Sequence, residues 1–148
     1  LAVTLIEQTG SSLRSIIGQA RHRVTPRRSV VRSSVETFFE QLRADDRLLH
    51  LLLREGSAGS DAFKDAVERQ LRFFEDELCL DLIRLAKQAN APLHRPELVA
   101  RAITRLVFAI GASAMDLPPE RDPELIRELS TMVRMIILGA RALSHHTH

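Results

Sequence analysis

Apolar residues recur along this chain at spacings of three and four, which is the pattern of helices with one buried face. The pattern predicts six helices, at about 2–22, 26–42, 46–53, 61–86, 96–115 and 122–143. Capping residues and prolines mark several starts, as in Thr25-Pro26 and Asp122-Pro123. No segment alternates apolar and polar residues at period two, so we predict an all-α fold.

The last two predicted helices carry more apolar surface than one domain interior needs. From Met132 to Leu138 the final helix is apolar on nearly all sides, with Arg134 as the exception. One side can pack on its own domain, and symmetric dimerisation is the commonest way to cover the other. We therefore predict a homodimer in which the last two helices of each subunit form a four-helix interface. Its predicted residues are Leu106, Ala114, Leu129, Met132, Val133, Ile136, Ile137 and Ala140.

Length and composition fit one globular domain over residues 1–148, with 45% hydrophobic and 27% charged residues. The longest apolar runs fall well short of the roughly 20 residues of a membrane span, so no membrane partner is predicted. The single cysteine, Cys79, suits a reducing cytoplasm. Helical spacing already begins at Val3 without a capping residue before it. We interpret the chain as a fragment whose first helix is entered from an upstream segment.

The sequence contains no motif of a known catalytic or metal site: HExxH, CxxC, GxSxG and a glycine-rich phosphate loop are all absent. We predict no enzymatic activity, no cofactor and no metal site. All six phenylalanines fall on the second to fifth predicted helices, and the third is leucine-rich. Such a bundle either packs solidly or leaves a tunnel between helices, and the rule of dense interiors favours the solid core.

The stretch "LLLREGSAGSDAFKDAVERQLRFFEDELCLDL", residues 51–82, resembles TetR-family repressors of the FabR and DesT type, which regulate fatty-acid unsaturation. Those proteins carry a leucine-rich helix ending in Arg-Glu, a short loop, and Ala-Phe at the start of a long helix. Here these features are Arg54-Glu55 and Ala62-Phe63. The start of the chain resembles the helix that links their DNA-binding head to the ligand domain. "SVVRSSVETFFEQL", residues 29–42, is similar to their next helix.

The resemblance implies a six-helix TetR-type C-terminal regulatory domain that binds an effector and dimerises. It implies that DNA is bound only through a helix-turn-helix domain upstream of residue 1. The implied effector is a long-chain fatty acyl-CoA, with Arg54 near its phosphates. The phenylalanine surplus and the resemblance together predict an acyl chain among Phe38, Leu42, Leu49, Phe63, Val67, Phe74, Val107 and Ile110. The alternatives are a TetR-type domain for a different hydrophobic molecule and a helical interaction domain without a ligand.

The loop from Gly56 to Ser60 is open to two interpretations. In the first interpretation, the loop is a hinge between the leucine-rich helix and the long helix, because glycine accepts large backbone changes at low cost. Alternatively it is a plain connection, in which Gly56 ends one helix and Ser60 caps the next.

Overall fold

The computed structural model describes residues 30–44 and 61–145, without the side chain of Phe63. These residues form four α-helices: α1 (Val30–Arg43), α2 (Asp61–Ala89), α3 (Pro96–Ala114) and α4 (Asp122–Ser144). A short 3-10 helix, Pro119–Arg121, precedes α4. The described part of the chain contains no strand, which confirms the predicted all-helical class there. The four helices correspond to the predicted second, fourth, fifth and sixth.

Several earlier predictions lie outside the described residues. They are the first and third predicted helices, the proposed hinge, Leu49 and Arg54. The count of six helices therefore stays a prediction. None of the described helices is both long enough and apolar enough to cross a membrane.

The corner between α2 and α3 depends on two residues with left-handed backbone. Asn90, directly after α2, has φ 51°, and Arg95, directly before α3, has φ 48°. Asparagine adopts this region more readily than most residues, which explains the stop after Ala89. Pro96 then occupies the first turn of α3, where its missing N–H removes no helical hydrogen bond. The corner reverses the chain so that α3 packs back along α2.

The helices form an open arc in which each packs on the next one. α2 packs on α3, α3 packs on α4, and α4 packs on α1. The two ends of this arc, α1 and α2, are not packed against each other along their lengths. The arrangement leaves a space between α1 and α2, which is the site described below.

The core lies inside the arc and is built from the predicted apolar stripes. Phe39 and Leu42 of α1 and Leu129 of α4 are at most 1% exposed, and Ala100 and Ala114 of α3 are fully buried. Small residues on α3 allow its neighbours to approach closely. Together these contacts fix α1, α3 and α4 as one packed unit.

Two arginines add polar ties between helices. The Arg105 guanidinium on α3 donates to Glu68 and Glu75 on α2, at 2.8 and 2.9 Å. The Arg43 guanidinium at the end of α1 binds Asp122 at the start of α4. These ties hold both ends of the arc to its middle.

Candidate ligand-binding cavity

A cavity of about 470 Å³ lies between α1 and α2, with α3 and α4 forming its other walls. Ligand pockets of proteins commonly measure about 300–1,000 Å³. The walls are mainly apolar. The choice between a solid core and a ligand tunnel, for which the sequence alone favours the solid core, stays a prediction. The lining consists of Val30, Val31, Ser34, Val35 and Phe38 of α1; Phe74, Leu78, Asp81, Leu82, Arg84, Leu85 and Gln88 of α2; Ile103, Thr104, Val107 and Phe108 of α3; and Val133 and Ile137 of α4.

Aromatic rings form a buried part of the cavity wall. Phe38 and Phe74 are 6% and 3% exposed, and Phe108 lies between them. The ring centroid of Phe108 is 6.4 Å from that of Phe38 and 5.9 Å from that of Phe74. Rings at these distances support one another through edge and tilted contacts. These three rings form a continuous apolar part of the wall, contributed by three helices.

The polar groups of the lining are few, and most lie on α2. Arg84 donates a hydrogen bond of 3.0 Å to Asp81, one turn earlier on the same helix. Arg84 and Gln88 are exposed, whereas the other described lining residues are buried or half-buried. Thr104 is the polar residue at the buried side. The cavity therefore opens toward the C-terminal half of α2.

The described lining consists mainly of apolar side chains. Among the described residues, no three histidine, cysteine, aspartate or glutamate side chains cluster to hold a metal ion. Cys79 is half-buried outside the lining, and its burial raises the pKa of the thiol. A raised pKa reduces the fraction of reactive thiolate. The described walls thus combine apolar surface with a polar edge, which is the composition of a binding site for a hydrophobic molecule.

The predicted ligand-binding residues fall into three groups. Phe38, Phe74 and Val107 line the cavity together. Leu42 and Val67 are buried in the core, and Ile110 packs on that core half-buried, all three outside the lining. Leu49, Arg54 and the side chain of Phe63 lie outside the part that the structure describes.

The predicted interface residues also separate by position. Ala114, Leu129, Val133 and Ala140 are buried within the single chain. Leu106, Met132, Ile136 and Ile137 are half-buried against the core. Val133 and Ile137 face the cavity. The outer surface of α4 instead presents Met135 and Leu138, which are 64% and 52% exposed.

Sequence reasoning missed several lining residues. Val31, Val35 and Leu78 belong to the apolar stripes that predicted α1 and α2, so a signal for them was present. The sequence offered no comparable signal for the Asp81–Arg84 pair. The spacing of this pair is that of any ion pair on a helix surface. Its position at the mouth of the cavity depends on the distance between α1 and α2.

A second, more open depression of about 350 Å³ lies at the corner between α2 and α3, around Asn90 and Pro92. It is formed by one end of α2 and the following loop, with little contribution from the rest of the fold. The cavity between α1 and α2 has walls from all four helices and is the stronger candidate site.

The sequence model of the family described as "Tetracyclin repressor-like, C-terminal domain" matches residues 27–139. The match covers all of α1, α2 and α3 and most of α4, and hence every lining residue of the cavity. Domains of this family generally bind ligands and dimerise in transcriptional regulators. The match extends over well more than half of the chain, and the chain belongs to the tetracyclin repressor-like C-terminal domain family.

Proposed function

We propose that this chain is the effector-binding and dimerisation domain of a transcriptional repressor and that its effector is a long-chain fatty acyl group, carried as a thioester of coenzyme A. The observation that supports the ligand proposal most is the apolar cavity between α1 and α2. DNA is bound by a helix-turn-helix domain in another part of the full-length protein. The domain itself occupies residues 1–148.

The shape of the lining favours a long, narrow ligand. Lining residues on α2 run from Phe74 to Gln88, a distance of about 21 Å at 1.5 Å per residue. Phe74, Leu78, Leu82 and Leu85 are apolar, and the lining from the other three helices is apolar except for Ser34 and Thr104. Each buried methylene contributes about 0.8 kcal/mol, so a hydrocarbon chain binds here without many polar contacts. The family resemblance to fatty-acid regulators points to the same ligand class.

The position of α1 suggests how ligand binding reaches the rest of the protein. Its N-terminal half, including Val31 and Val35, forms one wall of the cavity, and its C-terminal residue Arg43 is fixed to α4. A ligand between α1 and α2 contacts the N-terminal half of α1, while the C-terminal end of α1 stays bound to α4 through Arg43. The segment preceding α1 is the one that resembles the helix linking to the DNA-binding head. Movement of α1 would therefore be passed toward DNA.

Dimerisation through α3 and α4 is the second part of the proposal. Met135 and Leu138 leave apolar surface on the outer side of α4, and Gly139 has open space around its Cβ position. A glycine with open surroundings allows another helix to approach closely. The half-buried residues Leu106, Met132 and Ile136 border this surface in our proposal. A stable interface of this type buries roughly 2,000 Å² or more in total.

Mass spectrometry of the full-length protein under non-denaturing conditions tests the ligand class. We expect an added mass that is released on denaturation and that fragments as an acyl-CoA. If the released mass belongs to a different apolar molecule, that molecule is the effector and the acyl-CoA proposal is wrong. Protein free of any bound molecule, and unaffected by added acyl-CoA, would favour the helical interaction domain without a ligand.

A further inference from the structure

One arginine near the C-terminal end of α4 is enclosed without a partner. The Nε atom of Arg141 is buried and has no hydrogen-bond acceptor, and no ion pair links its side chain to another described residue. The other buried side-chain polar atoms without a partner in the described part are the hydroxyls of Ser33 and Ser130. A buried donor without an acceptor is unfavourable, and more so in a charged group. An acceptor from outside the chain would remove this cost.

Other arginines near the cavity already have carboxylate partners. Arg43 binds Asp122 at 2.8 Å, and Arg84 at the mouth binds Asp81 at 3.0 Å. A basic residue in the last turn of a helix is favourable in itself, because it lies near the unpaired carbonyl groups. That effect accounts for a positive charge at Arg141 but not for the enclosure of its Nε atom.

Arg141 lies on the side of α4 that faces the cavity. Val133 and Ile137 line the cavity, and Arg141 follows them at the same spacing of four residues. Residues four apart share one side of a helix. Arg141 is therefore about 6 Å beyond Ile137 along the helix axis, just past the described lining.

A hydrogen bond places this turn of α4 beside the end of α2. The His94 N–H donates to the carbonyl of Ala140 at 3.0 Å, and His94 belongs to the loop that follows α2. Gln88, an exposed lining residue, lies in the last turn of α2. Arg141 and Gln88 thus belong to the end of the cavity that opens to solvent. An apolar ligand in the cavity places its polar end there.

We propose that Arg141 binds an anionic group at the polar end of the effector, either the carboxylate of a fatty acid or a phosphate of coenzyme A. The inference rests on the proposed function, in which an apolar chain fills the cavity, and it assigns the residue that receives the charge. A guanidinium holds its donors in a planar fork that matches two oxygens of a carboxylate or phosphate. Within the described lining the charges of Asp81 and Arg84 compensate each other, so the charge of Arg141 is left for the ligand.

Three ligands with the same ten-carbon chain test this assignment by calorimetry on the full-length protein: decanoate, decanoyl-CoA and the uncharged decanol. Arg141→Gln removes the guanidinium and its charge. Affinity for an anionic ligand should fall about tenfold or more, as expected for the loss of a hydrogen bond between charged groups, and affinity for decanol should stay the same. A loss for decanoate identifies a carboxylate as the bound anion. A loss for decanoyl-CoA alone identifies a phosphate.

Arg127→Gln is the matched control. Arg127 is an exposed arginine of the same helix, outside the cavity lining and about 21 Å from Arg141 along the axis. This variant should bind all three ligands as the parent does.

Arg141→Lys separates ligand binding from an effect on the helix end. Lysine keeps the positive charge near the last carbonyl groups of α4 but lacks the planar fork. Thermal unfolding of the ligand-free protein should be the same for this variant and the parent. Its affinity for the anionic ligand should lie between those of the parent and Arg141→Gln.

The outcomes distinguish this inference from the function on which it rests. If the parent binds these ligands and Arg141→Gln binds them equally well, Arg141 does not receive the charge, and the acyl-chain site stands. A loss for decanol as large as that for the anionic ligands would overturn the assignment in the same way. If none of the three ligands binds the parent, the acyl-chain function fails and this inference fails with it.

Discussion

The guanidinium of Arg43 binds both carboxylate oxygens of Asp122, with Nε and Nη2 each 2.8 Å from an oxygen. The same Nη2 atom donates to the carbonyl of Ala114 at 2.9 Å, at the C-terminal end of α3. One side chain thus joins the last residue of α1 to the end of α3 and the start of α4. The hydrogen bonds and charge of Asp122 raise the pKa of Arg43 above its ordinary value.

Loss of this contact should destabilise the domain. Arg43→Met keeps the apolar stem but removes the guanidinium from Asp122 and one of two donors from the Ala114 carbonyl, which still accepts from the Leu117 N–H. Because both side chains are partly exposed, we expect a loss of roughly 1–3 kcal/mol, below the value for a fully buried pair. Arg121→Gln, which breaks the exposed pair next to it, should cost less than about 1 kcal/mol. Urea denaturation measures both, and equal effects would contradict a special role for Arg43.

Leu129 and Leu138 test which side of α4 faces the core. Leu129 is fully buried and Leu138 is 52% exposed, although both are leucines of α4. Leu129→Ala should lower the free energy of unfolding by about 2–5 kcal/mol through lost packing and a cavity. Thermal unfolding should show a much smaller change for Leu138→Ala at concentrations where the protein is monomeric. A reversed order would mean that α4 is rotated.

A charge on the outer side of α4 should prevent dimerisation. Leu138→Glu places a carboxylate at the centre of the proposed interface, where burial without a partner is unfavourable. Leu80→Glu makes the same change on α2, at a side chain that is 68% exposed and away from α3 and α4 in the chain. Sedimentation at micromolar concentration should show a monomer for Leu138→Glu and a dimer for Leu80→Glu. A monomeric parent protein would refute the dimer.

The contact between Glu68 and Arg105 should make stability depend on pH in acid. The hydrogen bond from Arg105 lowers the pKa of Glu68 below its ordinary 4.5. A lowered pKa stabilises the fold above that ordinary value, and the contribution disappears as the pH falls through the lowered one. Glu68→Gln should therefore reduce the loss of stability below about pH 4.5.

Arg105→Gln provides the partner variant for this measurement. It removes the hydrogen bonds that lower the pKa of Glu68, so it should flatten the same part of the stability profile. Combining it with Glu68→Gln should add little further flattening, because both changes remove one interaction. A slope unchanged in either single variant would show that Glu68 does not contribute to it.

Helix positions were accessible from the sequence because their signals are local. The predicted start of the last helix at Asp122 is that of α4, and the predicted start at Pro96 is that of α3. Prolines in the first turn act locally, so they need no knowledge of the fold, and neither start has a side-chain capping hydrogen bond. The 3-10 turn at Pro119–Arg121 was not predicted. There the prolines mark an interruption without specifying its conformation.

The site was only partly accessible, because it depends on distances between helices. Periodicity places Phe38 and Leu42 on the same stripe, yet Phe38 lines the cavity and Leu42 packs in the core. Contacts across helices are hidden for the same reason. Glu68 stands four residues before Arg72, which predicts a pair within α2, but its hydrogen bonds go to Arg105 on α3. Tertiary packing determines which residues of a stripe line the cavity and which partner a charged side chain binds, and a single sequence does not contain these distances.

The most direct test of the acyl-chain cavity is calorimetric titration with hexadecanoyl-CoA. It compares the full-length parent with a variant in which a larger side chain fills the cavity. Val107→Phe adds a ring to the lining, and Ala89→Phe adds the same ring at the exposed end of α2. We predict that the parent and Ala89→Phe bind the ligand with equal affinity. Val107→Phe should bind it about tenfold more weakly or worse, because displacing two methylenes of the acyl chain costs about 1.6 kcal/mol. Equal affinity in all three proteins, or no binding by the parent, would contradict an acyl-chain site between α1 and α2.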